Sequence, residues 1–149
     1  MGPLTYVVYL VVRGASKIRK IFYDFTDDPM KPAPRIPRLV LGFDSVANMM
    51  PGQTSDICSR PLADFYCERL VIPFDIVRYF QVDCVQIGTR NQFINSYSLP
   101  AALFSSEAAD PNLVMDMART GQTIKIRVTN IGEFSYRFRA AMVGTAKED

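Results

Sequence analysis

Apolar and polar positions alternate most regularly near the C-terminus, from Gln122 to Gly144. Ile124, Ile126 and Val128 alternate with Lys125 and Arg127, the period of a half-buried strand. After the turn-rich Thr129-Asn130-Ile131-Gly132 the alternation resumes, with Phe134, Tyr136, Phe138, Ala140 and Met142 in one phase and Ser135, Arg137 and Arg139 in the other. The pattern predicts a β-hairpin with one dry and one cationic face. On that second face Lys125, Arg127, Arg137 and Arg139 form a basic strip, since same-face neighbours on paired strands stand about 5 Å apart. Like charges so close repel, and the strip needs relief from carboxylates of a partner, from phosphate, or from water and salt.

Upstream, strand-like segments follow one another at short spacing. Leu39 to Val46 alternates and is followed by the turn signal Pro51-Gly52, Thr54 to Arg60 is closed by Pro61, and Phe65 to Ile72 by Pro73. Phe80, Val82 and Cys84 share a phase that flips to Val85 and Ile87, which places a bulge near Cys84. Gln92 to Tyr97 reads as a further short strand, Ser98 to Phe104 as one helical turn capped by Ser98, and Leu113, Met115 and Met117 as another strand after Asp110-Pro111. Short strands separated by Pro, Gly and Asn, with almost no helical periodicity, predict an all-β fold, a sandwich or barrel. No internal repeat accompanies them.

A composition break near Arg38 sets residues 1–37 apart from the module 38–149. Pro29 to Pro37 holds four prolines in nine positions, a run that favours extended backbone and cannot donate a regular ladder. Before it lie the apolar Leu4 to Val12, the basic Arg13, Lys17, Arg19 and Lys20, and the acidic Asp24, Asp27 and Asp28. The segment reads either as a first strand and loop of the same domain or as an assembly arm. In the second reading Tyr6, Val8 and Leu10 sit on a strand that needs an acceptor, supplied by strand addition to a neighbouring subunit across the proline spacer.

Composition narrows the chemistry. The net charge of +2 is too small to suggest nucleic-acid binding by the whole molecule, yet 12 of the 17 cations are Arg, which favours bidentate pairing with carboxylates or phosphates. Histidine is absent, which removes the usual general base and the commonest zinc ligand; Trp is absent too, which weakens a sugar-stacking reading. Cys58, Cys67 and Cys84 have no metal-knuckle spacing and read as buried reduced thiols. The apolar run Tyr6 to Val12 lacks a basic region before it and falls short of the ~20 residues of a membrane span, so a cytosol-like compartment is expected. No phosphate loop, zinc-binding helix, nucleophile elbow or calcium loop occurs, and the expectation is a protein that is no enzyme, with no cofactor, metal site or catalytic residue. Arg90-Asn91-Gln92 concentrates polar side chains beside Phe93 at a strand end, as a contact surface or as a loop that satisfies its own backbone.

The segments Pro51-Gly52-Gln53-Thr54, Ser59-Arg60-Pro61, Glu68 to Pro73, Leu99 to Ser105, Val128 to Ile131 and Arg139 to Ala146 resemble small jelly-roll cement or decoration proteins of tailed-bacteriophage capsids, over roughly residues 38 to 146. The resemblance implies a jelly-roll-like antiparallel β-sandwich for the matched residues; the extended N-terminal arm lies outside them and rests on the reading of residues 1–37 alone. The resemblance also implies a virion structural role: a capsid cement, decoration or minor capsid protein assembled in the host cytoplasm. Its partners would be the major capsid protein and copies of itself, in a homo-oligomer within an icosahedral assembly, without membrane or nucleic acid. The alternatives are a receptor- or glycan-binding head module and then a nucleic-acid-binding β protein. Read from the residues and not from the resemblance, partner contacts are expected on Tyr6, Val8, Leu10, Arg13, Lys17, Arg19, Lys20, Arg90, Asn91, Gln92, Lys125, Arg127, Arg137 and Arg139.

Overall fold

The computed structural model describes residues 38–94, 97–109 and 113–146, and the backbone of residues 7–9 and 20–22. The chain divides into two units, Met1–Arg35 and Ile36–Asp149. In the first, β1 (Val7–Tyr9) pairs antiparallel with β2 (Lys20–Phe22), Val8 opposite Ile21. The described part of the apolar N-terminal strand therefore pairs within its own unit; the sequence left open a first strand and loop of the same domain or an acceptor on a neighbouring subunit. Tyr6, Leu10, Arg13, Lys17, Arg19 and the proline spacer lie outside the described residues.

The second unit is an all-β sandwich of two antiparallel sheets, one strongly curled. Its strands are β3 (Arg38–Met49), β4 (Thr54–Ser59), β5 (Phe65–Val71), β6 (Phe80–Ile87), β7 (Arg90–Asn91), β8 (Leu99–Pro100), β9 (Met117–Ala118), β10 (Ile124–Asn130) and β11 (Tyr136–Ala146). One sheet has the order β3-β11-β5-β9; the other runs β4-β10-β6-β7, with β8 also on β6.

The C-terminal alternation holds within the strands, since Ile124, Ile126, Val128, Phe138, Ala140 and Met142 are all buried, but Phe134, expected on the dry face, is 67% exposed in the connection before β11, and Tyr136 is only half-buried. The predicted hairpin does not form. β10 pairs with β4 and β6, while β11 pairs with β3 and β5 in the opposite sheet. Residues 38–59 and 124–146 instead form one long antiparallel ribbon that folds over from one sheet to the other, with Arg38 opposite Thr145 at one end and Ser59 opposite Ile124 at the other. Periodicity marks which face a residue takes, whereas the partner is set by burial of both faces of the fold.

The fold-over is held by Asn130, fully buried at the corner. Its side-chain amide donates to the carbonyls of Met49 (2.8 Å) and Phe134 (2.9 Å) and its Oδ1 accepts from the Gly132 N–H (2.8 Å). Gly52, at φ 76°, turns β3 into β4 and donates to the Asn130 carbonyl. A buried amide that satisfies three backbone groups fixes both crossings against each other.

Inside, Phe80 of one sheet meets Phe138 of the other edge to face, centroids 5.2 Å apart. The register of β6 against β10 slips opposite the Arg127–Val128 step, where Val82 pairs with Val128 and Cys84 with Arg127, so that Asp83 is the extra residue and the core phase passes from Phe80 and Val82 to Val85 and Ile87, the bulge expected near Cys84. Other local expectations are corrected. Ser98 does not cap a helical turn: Leu99–Pro100 is a short strand, a 3₁₀ turn follows at Ala101–Phe104, and the Ser98 hydroxyl donates to Asp83 (2.5 Å). Gln92 to Phe93 is irregular, and of the Leu113 to Met117 segment only Met117 enters a strand. Cys67 and Cys84 are buried as expected, but Cys58 is exposed on β4. Among the described residues no helix is long and apolar enough to cross a membrane.

Candidate functional site

The two flanks of the sandwich differ. On one, the connection of residues 88–118 closes the edges of both sheets. β7 and β8 pair with β6, and the Gln92 N–H donates to the Val85 carbonyl (2.8 Å). β9 pairs with β5, the Leu113 N–H donates to Glu68 O (2.9 Å) and the Ile72 N–H to Phe104 O (2.8 Å). On the other flank lie β3 and β4, each with a single strand neighbour among the described residues. An uncovered edge is a template for another chain, and its treatment decides what can dock there.

The edge strands carry two acids, and these answer the basic strip. Arg137 reaches Asp44 as a fork, Nε to Oδ1 and Nη2 to Oδ2 both at 2.7 Å. Arg127 does the same to Asp56 at 2.6 and 3.0 Å, with the Lys125 ammonium at 3.4 Å. Lys125 and Arg127 therefore form one cluster on the β4 sheet, and Arg137 and Arg139 another on the β3 sheet. The single four-cation strip expected from the sequence does not exist, because its two strands lie in different sheets. The relieving anions belong to the chain itself. Arg137 donation, then the Val46 N–H, holds the Asp44 carboxyl below the usual aspartate value. Arg127 donation does so for Asp56, offset in part by burial and helped by the Lys125 charge. Arg127 and Arg137 are raised in turn by the same pairs. Both carboxylates stay ionised at neutral pH, which suits clamping and does not suit proton transfer.

Asp44 also shapes a bulge. Arg139 lies opposite Asp44 and Arg137 opposite Asn48, so residues 45–47 face Phe138 alone. Val46 has φ 63°, a left-handed conformation that a β-branched side chain rarely takes, and is 76% exposed. Its N–H donates to Asp44 Oδ1 (2.8 Å), the Ser45 hydroxyl donates to the Ala47 carbonyl (2.7 Å), and the Phe138 N–H donates to Ser45 Oγ (3.0 Å). Asp44 and Asp56 line one polar hollow of about 240 Å³ between β3 and β4, shared with Asn48, Gln53 and the exposed Cys58. A second hollow, about 320 Å³ and apolar, lies between the start of β3 (Leu39, Val40, Leu41) and Pro61, Leu62 and Phe65.

The remaining expected contacts fall elsewhere. The Gln92 amide donates to Asp116 Oδ2 (3.1 Å) and accepts from the Asp116 N–H (2.8 Å), Arg90 pairs with Asp116 at 3.2 Å, and Asn91 Oδ1 accepts from the Phe93 N–H (3.1 Å). These residues pin the covering connection, the loop-satisfying role. Val8 and Lys20 belong to the first unit, on β1 and β2. Sequence reading missed Asp44 and Asp56, whose positions on strands signalled cross-strand pairing once partners were known, and the stack of Tyr79 on Tyr136 at 3.9 Å with Arg78 over Tyr79 at 4.7 Å. Among the described residues no group of three or more His, Cys, Asp or Glu is placed to hold a metal. Comparison with protein families, curated proteins and solved structures gives no match for this chain.

Proposed function

We propose that the chain is a virion structural protein, a cement, decoration or minor capsid protein whose work is mechanical. The observation that carries the reading is the asymmetry of the flanks: the edges on one side are closed by strands and hydrogen bonds from 88–118, while the other presents two bare edge strands braced by Arg–Asp forks; exposed apolar side chains occur on both, Val40 at 68% on the bare side. The ribbon that folds over between sheets is also what a jelly-roll-like topology requires. In this reading the Arg–Asp forks stiffen the open edges in a form that meets the major capsid protein and copies of the chain itself. The apolar hollow at the start of β3 takes side chains from a neighbour.

The test is a quantified gel of purified particles together with the free pool. Hundreds of copies per particle, lost when Val40 is replaced by Lys, supports the role. A chain found only outside particles contradicts it. A receptor- or glycan-binding head module is the second reading, favoured by the exposed Phe134 and Ile131 beside the Tyr79–Tyr136 stack. Its mark would be a few copies at one vertex or tail.

A further inference from the structure

We infer that the regular half of the β3 edge, Arg38 through Asp44, pairs antiparallel with the same segment of a second copy, joining two sheets across a two-fold axis at Leu41. The inference deepens the assembly reading by naming one contact, and rests on it for the biological use of the pair.

β3 changes character along its length. From Arg38 to Asp44 it follows β11 without a slip, one residue against one. Beyond Asp44 the bulge with Val46 at φ 63° breaks the ladder. A bulge blunts an edge against a second strand, and the stretch without one remains competent for pairing. At the other end the ladder is bounded by Pro37, which has no N–H to donate. The pairable window is thus closed on both sides.

Register follows from the pleat. Residues directly opposite in an antiparallel ladder project to the same face, so the two-fold axis passes through a residue and not between two. Centring it on Leu41 uses the whole window. Arg38 then lies opposite the second copy's Asp44, Val40 opposite its Gly42, Leu39 opposite its Phe43, and Leu41 opposite its own equivalent. The exposed Val40 and the partly exposed Leu39 gain cover, and Gly42 has open space beside it. Centring on Val40 or Gly42 brings in Pro37 or the bulge. Arg38 meets a carboxylate whose spare lone pairs remain after the Arg137 fork, with the exposed Arg139 one strand further away. The charge contribution is therefore local and modest, and backbone pairing is the main attraction. So short a ladder sits at the small end of specific interfaces, so the isolated pair should dissociate on the order of 0.1 mM and be held in place by high local concentration.

Sedimentation equilibrium of the full chain tests the contact, together with disulfide trapping in a Cys58→Ser background that removes the exposed native thiol. Leu41→Cys should trap a dimer under mild oxidation. Val40→Cys should not, since two residues 40 are offset by roughly 8 Å along and across such a ladder, beyond disulfide reach. Val40→Lys should weaken association at least tenfold while circular dichroism and the melting temperature stay those of the parent. A chain monomeric at millimolar concentration, a dimer indifferent to Val40→Lys, or trapping by Val40→Cys in place of Leu41→Cys overturns the inference. Particle attachment that survives loss of the trapped pair would leave the structural role standing and remove only this contact.

Discussion

The covered and open flanks of this sandwich are made by the same kind of strand, yet they solve the edge problem in opposite ways. On the covered side, residues 88–118 lend β6 and β5 short strands and single hydrogen bonds, and Gln92 and Asp116 hold the cover together. On the open side no such connection exists among the described residues, and the edge is managed by polar side chains, two Arg–Asp forks and a bulge restricted to half of β3. The difference teaches that a sheet edge can be managed by covering it or by bulging only part of it, which leaves a bounded stretch of β3 regular.

The largest effect should come from glycines that look alike in sequence. A Cβ on Gly144, where β11 meets β5, would stand 1.8 Å from the Tyr66 carbonyl oxygen, while one on Gly42 of the open edge meets nothing within 4 Å. Gly144→Ala should cost about 3 kcal/mol or unfold the module, as backbone must separate from backbone, and Gly42→Ala should stay within about 0.5 kcal/mol. Urea unfolding of the full chain compares them. Equal effects would mean that the central β11–β5 pair admits a side chain as easily as the open β3 edge does.

Next is Asn130. Its replacement by Ala strands the Met49 and Phe134 carbonyls and the Gly132 N–H at the corner, for a cost of about 2 to 3 kcal/mol in the same assay. A loss much smaller than this would mean that the two sheet crossings hold without it.

Acid should weaken the open flank. Asp44 and Asp56 have folded values depressed below the ordinary 3.8, so their contribution is present above that value and is lost as pH falls through the lower folded ones. Because both pairs are largely exposed, the expected change is small. Melting followed from pH 6 to pH 2 should show a decline beginning near pH 4 that Asp44→Asn together with Asp56→Asn reduces. An unaltered decline would assign it to other carboxylates.

The smallest perturbation is chemical. Cys58 on β4 is exposed, whereas Cys67 on β5 is buried and its thiol is pushed up to about 11 by that burial. Native protein should therefore take up one maleimide quickly at Cys58, with Cys67 and Cys84 reacting only on unfolding, as peptide mass spectrometry can resolve. Rapid labelling of Cys67 would mean that the covered flank opens readily.

The faces were legible in the sequence because a strand's period of two reports burial directly: Ile124, Ile126, Val128, Phe138 and Met142 all lie where their alternation put them. The bulge near Cys84 was legible for the same reason. Partners were not. Nothing between Asn130 and Tyr136 says whether the chain turns back beside itself or crosses to the other sheet, and the crossing is decided by Asn130 and by strands 38–59, far away along the chain. The site followed the same logic. Lys125, Arg127, Arg137 and Arg139 were found as cations, but their acids, Asp56 and Asp44, lie 71 and 93 residues from Arg127 and Arg137. Arg90, Asn91 and Gln92 drew notice for polarity that their own loop consumes.

Hydrogen exchange followed by mass spectrometry, on the free full chain and on purified particles, tests the central claim most directly. In the free chain peptides from 38–49 should exchange faster than those from 65–71 and 80–87, and on the particle residues 38–44 should gain protection with little change across 88–118. Equal protection of the two flanks in the free chain, or protection gained over 88–118 with none at β3, would contradict the account.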